Sequence, residues 1–155
     1  MGIMKISSEK LEKLKELIDE AQTIGIASHV NPDGDNIGST LGLARSLRAY
    51  GKDVDVLGHD ELDDYLKFLP DIEYYTKDYK DSYDLFLILD ASEFDRVGDA
   101  TPVGHNSKKT AVIDHHLGGK ITSDLNIIHP NAPATCQLVY EIINKLDLPL
   151  DEKTA

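Results

Sequence analysis

Apolar positions change period several times along the chain, and each change marks an element. Leu11, Leu14, Leu17, Ile18 and Ala21 recur at helical spacing behind Ser7 and Ser8, two good N-caps, which predicts a first helix. Thr23–Ser28 reads as a short strand, followed by a polar turn over His29–Asp35. Ile37, Leu41, Ala44 and Leu47 mark a second helix that stops near Gly51. Asp53–Leu57 reads as a second strand, and Tyr65–Leu69 as a helical turn closed by Pro70. Asp84–Asp90 contains Leu85-Phe86-Leu87-Ile88-Leu89, an unbroken apolar run typical of a strand buried on both faces. Thr110–Asp114 and Leu125–Ile128 are further strands. Thr135–Leu146 is a helix with Leu138, Val139, Ile142 and Ile143 on its buried side. Strands alternating with helices predict an α/β fold, with a mainly parallel sheet of about five strands and helices on both faces.

Composition narrows the class. At 155 residues the chain amounts to about one domain, and 41% hydrophobic with 28% charged residues is ordinary for a globular protein. A disordered tail, a collagen-like fibre and a disulfide scaffold are excluded. Lys and Arg number 16 against 28 Asp and Glu, a formal charge of −12. That balance disfavours a basic-groove nucleic-acid binder. It leaves a metal enzyme open, because bound cations reverse the local field. The single cysteine, Cys136, cannot form an internal disulfide, and a reduced thiol fits a cytoplasmic protein. Met1–Lys10 is polar and unlike a signal peptide, and no apolar run approaches the ~20 residues that span a membrane.

Three strand ends carry metal-competent residues. His29-Val30-Asn31-Pro32-Asp33-Gly34-Asp35 follows the first strand, Asp90 follows the apolar one, and Asp114-His115-His116 closes the next. In an open α/β sheet the carboxyl ends of the strands line the ligand crevice, so residues distant in sequence meet there. Imidazole mixed with carboxylate suits Mn, Fe or Zn better than Ca or Mg. His29 and Asp33 can serve one ion and Asp35 and His115 a second, with Asp90 bridging. Two divalent ions ~3.5–4 Å apart share a hydroxide and clamp the attacking and leaving oxygens of a phosphoryl group. They also bring the formal charge from −12 to −8, with the gain concentrated in the cleft.

Each residue has a plainer reading. Asn and Asp around Pro32-Asp33-Gly34 are ordinary turn residues. Asp35 or Asn36 would serve as a helix cap, and adjacent histidines can be incidental at a surface. Their joint occurrence at three strand ends favours the functional reading. Competing motifs fail. An EF-hand beginning at Asn31 would need Gly and Glu where Asn36 and Gly42 stand. An aspartyl nucleophile in Asp-x-Asp is excluded because Ala91 and Ser92 follow Asp90. Walker A, HExxH, GxSxG and paired CxxC motifs are missing, and Gly34 and Gly38 lack the GxGxxG spacing.

His29-x-Asn31-Pro32-Asp33-Gly34-Asp35-x-x-Gly38-Ser39, then Asp90, then Asp114-His115-His116, resembles the DHH phosphoesterase family over nearly the whole chain. Asn31–Asp35, Phe68-Leu69-Pro70 and Asp90-Ala91-Ser92 with Arg96 and Gly98 look most like its oligoribonuclease and pAp-phosphatase subgroup. The resemblance implies a Rossmann-like metal domain and a phosphoester hydrolase using two Mn ions and metal-activated hydroxide. The implied substrates are short single-stranded oligonucleotides or 3′-phosphoadenosine 5′-phosphate. His29, Asp33, Asp35, Asp90 and His115 match the family's metal ligands. His116 matches the second histidine, beside the nucleophile or leaving group, and shares the catalytic role with Asp90. Asp114 matches a carboxylate that orients an imidazole. Asn31 and Arg96 are candidates for phosphate contact. His59, His105 and His129 fall outside the scheme, with His59 expected to be exposed and His105 in a polar loop.

The chain also departs from the family. Members carry a fourth motif with a further metal-binding aspartate, then a second, substrate-binding domain rich in glycine. Neither is found here. Asp151, Glu152 and Lys153 look like the start of a helix that ends two residues later. Residues 1–155 are therefore expected to be the metal-bearing domain of a longer protein, although a frayed tail would also explain the end. Related chemistry on cyclic dinucleotides, polyphosphate or pyrophosphate is an alternative. A non-catalytic metal-binding module and an inert interaction domain are alternatives of other classes. A homodimer is compatible with the sequence, and strand order is not derivable from it.

Overall fold

The computed structural model describes residues 7–28, 34–57, 75–76, 79–89, 101–114, 124–128 and 135–149. The first helix, α1 (Ser8–Glu20), starts where the polar-to-periodic change predicts. Ser7 caps it, its Oγ accepting from the Lys10 N–H at 3.4 Å. After two residues the chain enters β1 (Thr23–Ser28), then α2 (Gly34–Ala49) and β2 (Asp53–Leu57). A two-residue strand, β3 (Tyr75–Thr76), precedes β4 (Leu85–Leu89). A short helix, α3 (Thr101–Asn106), precedes β5 (Lys109–Asp114), and β6 (Leu125–Ile128) and α4 (Thr135–Lys145) follow.

Among the described residues the strands form one sheet in the order β3-β2-β1-β4-β5-β6, and every pair is parallel. The predicted α/β architecture is therefore present. The five expected strands are β1, β2, β4, β5 and β6, and β3 is an addition. Tyr65–Leu69 lies outside the described residues, as do His59, His129 and Asp151–Ala155.

Side chains alternate between two apolar layers, as strand geometry requires. Ile24, Ile26, Val54, Val56, Leu85, Leu87, Leu89, Ala111 and Ile113 pack beneath α1, α2 and α4. Leu14, Leu17 and Ile18 of α1, Leu41, Ala44 and Leu47 of α2, and the predicted quartet Leu138, Val139, Ile142 and Ile143 of α4 complete that layer. Ala27, Leu57, Phe86, Ile88 and Val112 form the opposite layer with Val103 of α3 and Tyr83. Both faces carry helix, so the continuous apolar run of β4 is explained by burial on two sides.

Helix ends are closed by their sequences. After α2, Gly51 takes φ 101°. Its N–H donates to the Arg48 carbonyl at 2.9 Å, and the Lys52 N–H donates to that of Leu47 at 3.1 Å. This is a Schellman closure, and the left-handed position favours glycine. The same pair of bonds ends α4, from Asp147 to Asn144 at 3.2 Å and from Leu148 to Ile143 at 3.0 Å. There the left-handed residue is Asp147, with φ 54°.

Candidate metal centre at the carboxyl edge of the sheet

Strand order decides where a ligand crevice opens. From β1 the chain passes through α2 to β2 on one side, and from β4 it passes through α3 to β5 on the other. Yet β1 and β4 are neighbours. The chain therefore leaves their carboxyl ends in opposite directions, and this reversal is where open α/β sheets bind ligands. The strand ends are level. Ser28 pairs with Leu89, and Leu89 pairs with Ile113. In sequence the next residues are His29, Asp90 and Asp114.

Asp114 is described directly. It ends β5, pairs in register with Ile128 and is fully buried. Asp35 lies in the first turn of α2, where the backbone alone is described. His29, Asn31, Asp33, Asp90, Arg96, His115 and His116 lie outside the described residues. Among the described residues no group of three or more His, Cys, Asp or Glu is gathered to hold a metal. The structure brings together three strand ends and one buried carboxylate. It also starts α2 at Gly34, a few residues after β1 ends at Ser28, with the positive end of the helix dipole at that point in the chain.

Alternation extends the picture. On β5, Val112 and Asp114 stand two residues apart and therefore on the same face of the sheet. Ala27 and Ile88 share the layer of Val112. In sequence His29 follows Ala27, and Asp90 follows Ile88, by the interval that separates Asp114 from Val112. The donor set fits a divalent metal in type, because imidazole and carboxylate together suit Mn, Fe or Zn.

The opposite edge uses carboxylates differently. The Asp84 carboxylate accepts from the backbone N–H groups of Gln22 at 2.9 Å and Thr23 at 3.2 Å. These bonds, with Lys108 at 3.3 Å, hold its pKa below the usual carboxylate range. Its own N–H donates to Thr23 Oγ1 at 3.0 Å. The Asp124 carboxylate accepts from the Thr110 N–H at 2.9 Å. Both aspartates join the starts of neighbouring strands. Nearby, the Tyr83 hydroxyl donates to Asp55 Oδ2 at 2.7 Å and accepts from the Lys80 N–H at 3.1 Å. Burial, then the Asp55 contact, push the Tyr83 pKa up. Lys80 pairs with Asp53 and Asp55, and its pKa is raised chiefly by the Asp53 bond. Sequence reading missed this cluster, since its partners lie 27 and 28 residues apart. One earlier expectation is corrected: His105 lies in α3 rather than in a loop, and it is exposed. Thr101-Pro102 at the start of that helix is the signal, Pro being favoured in a first turn.

The strand order, with its reversal between β1 and β4, defines a doubly wound α/β domain. Residues 23–155 match the DHH family, N-terminal domain, and the chain belongs to that family. It is 33% identical over 141 residues to the bifunctional oligoribonuclease and PAP phosphatase NrnA of Thermus thermophilus, covering 89% of this chain and 42% of the relative. A crystal structure of an exopolyphosphatase-related protein from Bacteroides fragilis superimposes with a TM-score of 0.86 at 28% identity, over 93% of this chain and 46% of that one. A crystal structure of exonuclease RecJ bound to manganese shares the fold, with a TM-score of 0.54 at 20% identity over 97% of this chain and 41% of that one. The chain thus spans less than half the length of these relatives. Among the described residues no helix is long and apolar enough to cross a membrane.

Proposed function

We infer that this chain is the metal-bearing part of a phosphoester hydrolase acting on short oligonucleotides, 3′-phosphoadenosine 5′-phosphate, or both. The observation that carries the reading is the level row of carboxyl ends at the switch point, each followed in sequence by metal-competent residues. The likeness to NrnA supports the substrate class.

In this reading His29, Asp33, Asp35, Asp90 and His115 hold two Mn ions. When bound, such ions supply a nucleophile from water at neutral pH and neutralise phosphoryl charge. Asp114 positions an imidazole, as carboxylates commonly do beside metal-bound histidine. His116 holds or moves a proton beside the nucleophile or leaving group. Asn31 and Arg96 contact phosphate. A downstream domain completes the substrate cleft, in keeping with relatives more than twice as long. The protein works in the cytoplasm.

The experiment incubates the full natural protein with short RNA oligomers and Mn, then repeats it with Asp90→Ala. Metal-dependent release of mononucleotides, lost in the variant, is expected. An inert parent whose Asp90→Ala variant binds as much Mn would refute the reading. A second reading, hydrolysis of polyphosphate or pyrophosphate, is favoured by the likeness to the exopolyphosphatase-related structure. A panel adding polyphosphate and a cyclic dinucleotide separates these substrates. Bound metal without any turnover would support a binding module instead.

A further inference from the structure

Beneath the level strand ends lies a row of three apolar side chains. Ala27 pairs in register with Ile88, and Ile88 with Val112. All three belong to one apolar cluster and are 0–1% exposed. They lie on the face that Asp114 occupies, one residue pair below it. The row is graded in size, with the smallest side chain on β1 and the largest in the centre on β4. A layer this dry transmits shape changes, because cores are close-packed and relax only in part. On the other face of the same strands, Ile26 pairs in register with Leu87, under α2 and α4.

We propose that Ala27, Ile88 and Val112 form the floor of the metal site and position the residues leaving the three strand ends. This rests on the proposed function and adds positioning residues to it. A binding constellation keeps its geometry when the residues that support it are themselves locked by packing. The floor acts by packing, so removing one methylene from it loosens the ligand geometry. Removing one from the face under α2 and α4 does not.

The test compares Ile88→Val with Ile26→Val. Each removes one methylene from a side chain at 0% exposure, on adjacent strands and on opposite faces. Urea unfolding checks that both are folded and similarly destabilised. Mn2+ alone is titrated into each chain, and the loss of the free aqua-ion signal in electron paramagnetic resonance reports binding. Ile88→Val is expected to weaken Mn2+ binding by up to about tenfold, the low end of the loss seen when a ligand's hydrogen-bonding partner is removed. Ile26→Val should stay close to the parent. Val112→Ala, the second floor variant, should follow Ile88→Val. Equal weakening in both isoleucine variants, or weakening in neither, overturns the proposal while leaving the metal site standing. A parent chain that binds no Mn2+ overturns the functional reading, and the floor with it.

Discussion

Gly25 stands in the middle of β1 with the ring of Tyr83 against its Cα. A Cβ at this position would lie 2.7 Å from Cδ2, 2.9 Å from Cε2 and 3.0 Å from Cγ of that ring. Ordinary carbon contacts are about 3.5–4.0 Å, so the ring must retreat by nearly an ångström. It has little freedom to do so. Tyr83 is 2% exposed, its hydroxyl is bonded to Asp55 and to the Lys80 N–H, and its own N–H donates to Ser107 Oγ at 3.0 Å. Overpacking of this kind costs about 1–3 kcal/mol. The lower entropy of an unfolded chain with Ala offsets about 0.4–1 kcal/mol of that. Gly25→Ala is therefore expected to destabilise by about 1–2 kcal/mol, a fall in Tm of roughly 2–8 °C for a chain of this size. Urea unfolding measures the first quantity and differential scanning calorimetry the second. In a Tyr83→Ala background, which removes the whole ring including Cγ and Cδ2, the same glycine substitution should be neutral or stabilising, a coupling expected of residues in contact. The reasoning fails if Gly25→Ala lies within about 0.5 kcal/mol of the parent, or is equally harmful in both backgrounds.

Three further outcomes are expected. Asp147→Gly should stabilise by about 0.5–1 kcal/mol, because the φ of 54° that closes α4 suits glycine better than a residue with a Cβ; thermal unfolding checks it, and a lower Tm contradicts it. Asp84 has its folded pKa below the unfolded value, so its contribution is present above about pH 4 and is lost as pH falls through the folded pKa. The stability gap between parent and Asp84→Asn should accordingly shrink as the pH is lowered below about 4, as followed by urea unfolding, whereas a constant gap would dissociate Asp84 from the acid limb. Mn at about a hundredfold excess over its dissociation constant should stabilise the chain by about 2.7 kcal/mol, or roughly 5–11 °C in Tm. Chelation should remove that gain, and Asp90→Ala should show much less of it.

Most elements were legible because their apolar periods are long enough to declare themselves. The run Leu85–Leu89 announced the central strand, and Leu138, Val139, Ile142 and Ile143 announced the face of α4 that is buried. Tyr75–Thr76 was not legible, because two residues have no period; the strand shows itself by pairing with Val56 and Leu57. Thr101–Asn106 carries Pro, Gly, His and Asn in six positions, a composition that reads as loop. Strand order was hidden for a different reason. Periodicity reveals that a strand is buried, but not beside which strand it lies. The three chemical segments were legible as residue types at strand ends. That their strands are adjacent and level came only from the pairing of Ser28 with Leu89 and of Leu89 with Ile113. The distinction between Asp84 and Asp114, both at strand boundaries, also required three dimensions. One receives backbone N–H groups from a segment some 61 residues away, and the other is buried at the opposite edge.

The pairing of β1 with β4 has a kinetic consequence. Thr23 and Asp84, bonded at the start of this pair, are 61 residues apart, whereas Thr110 and Asp124, bonded at the start of β5 and β6, are 14 apart. Closing the longer loop costs about 1.3 kcal/mol more in chain entropy, on a logarithmic dependence on length. Contacts between distant segments slow folding. The β5–β6 pair can therefore close early, and the β1–β4 pair assembles late. A nascent chain has no switch point until Leu85–Leu89 has been made and seated beside Thr23–Ser28.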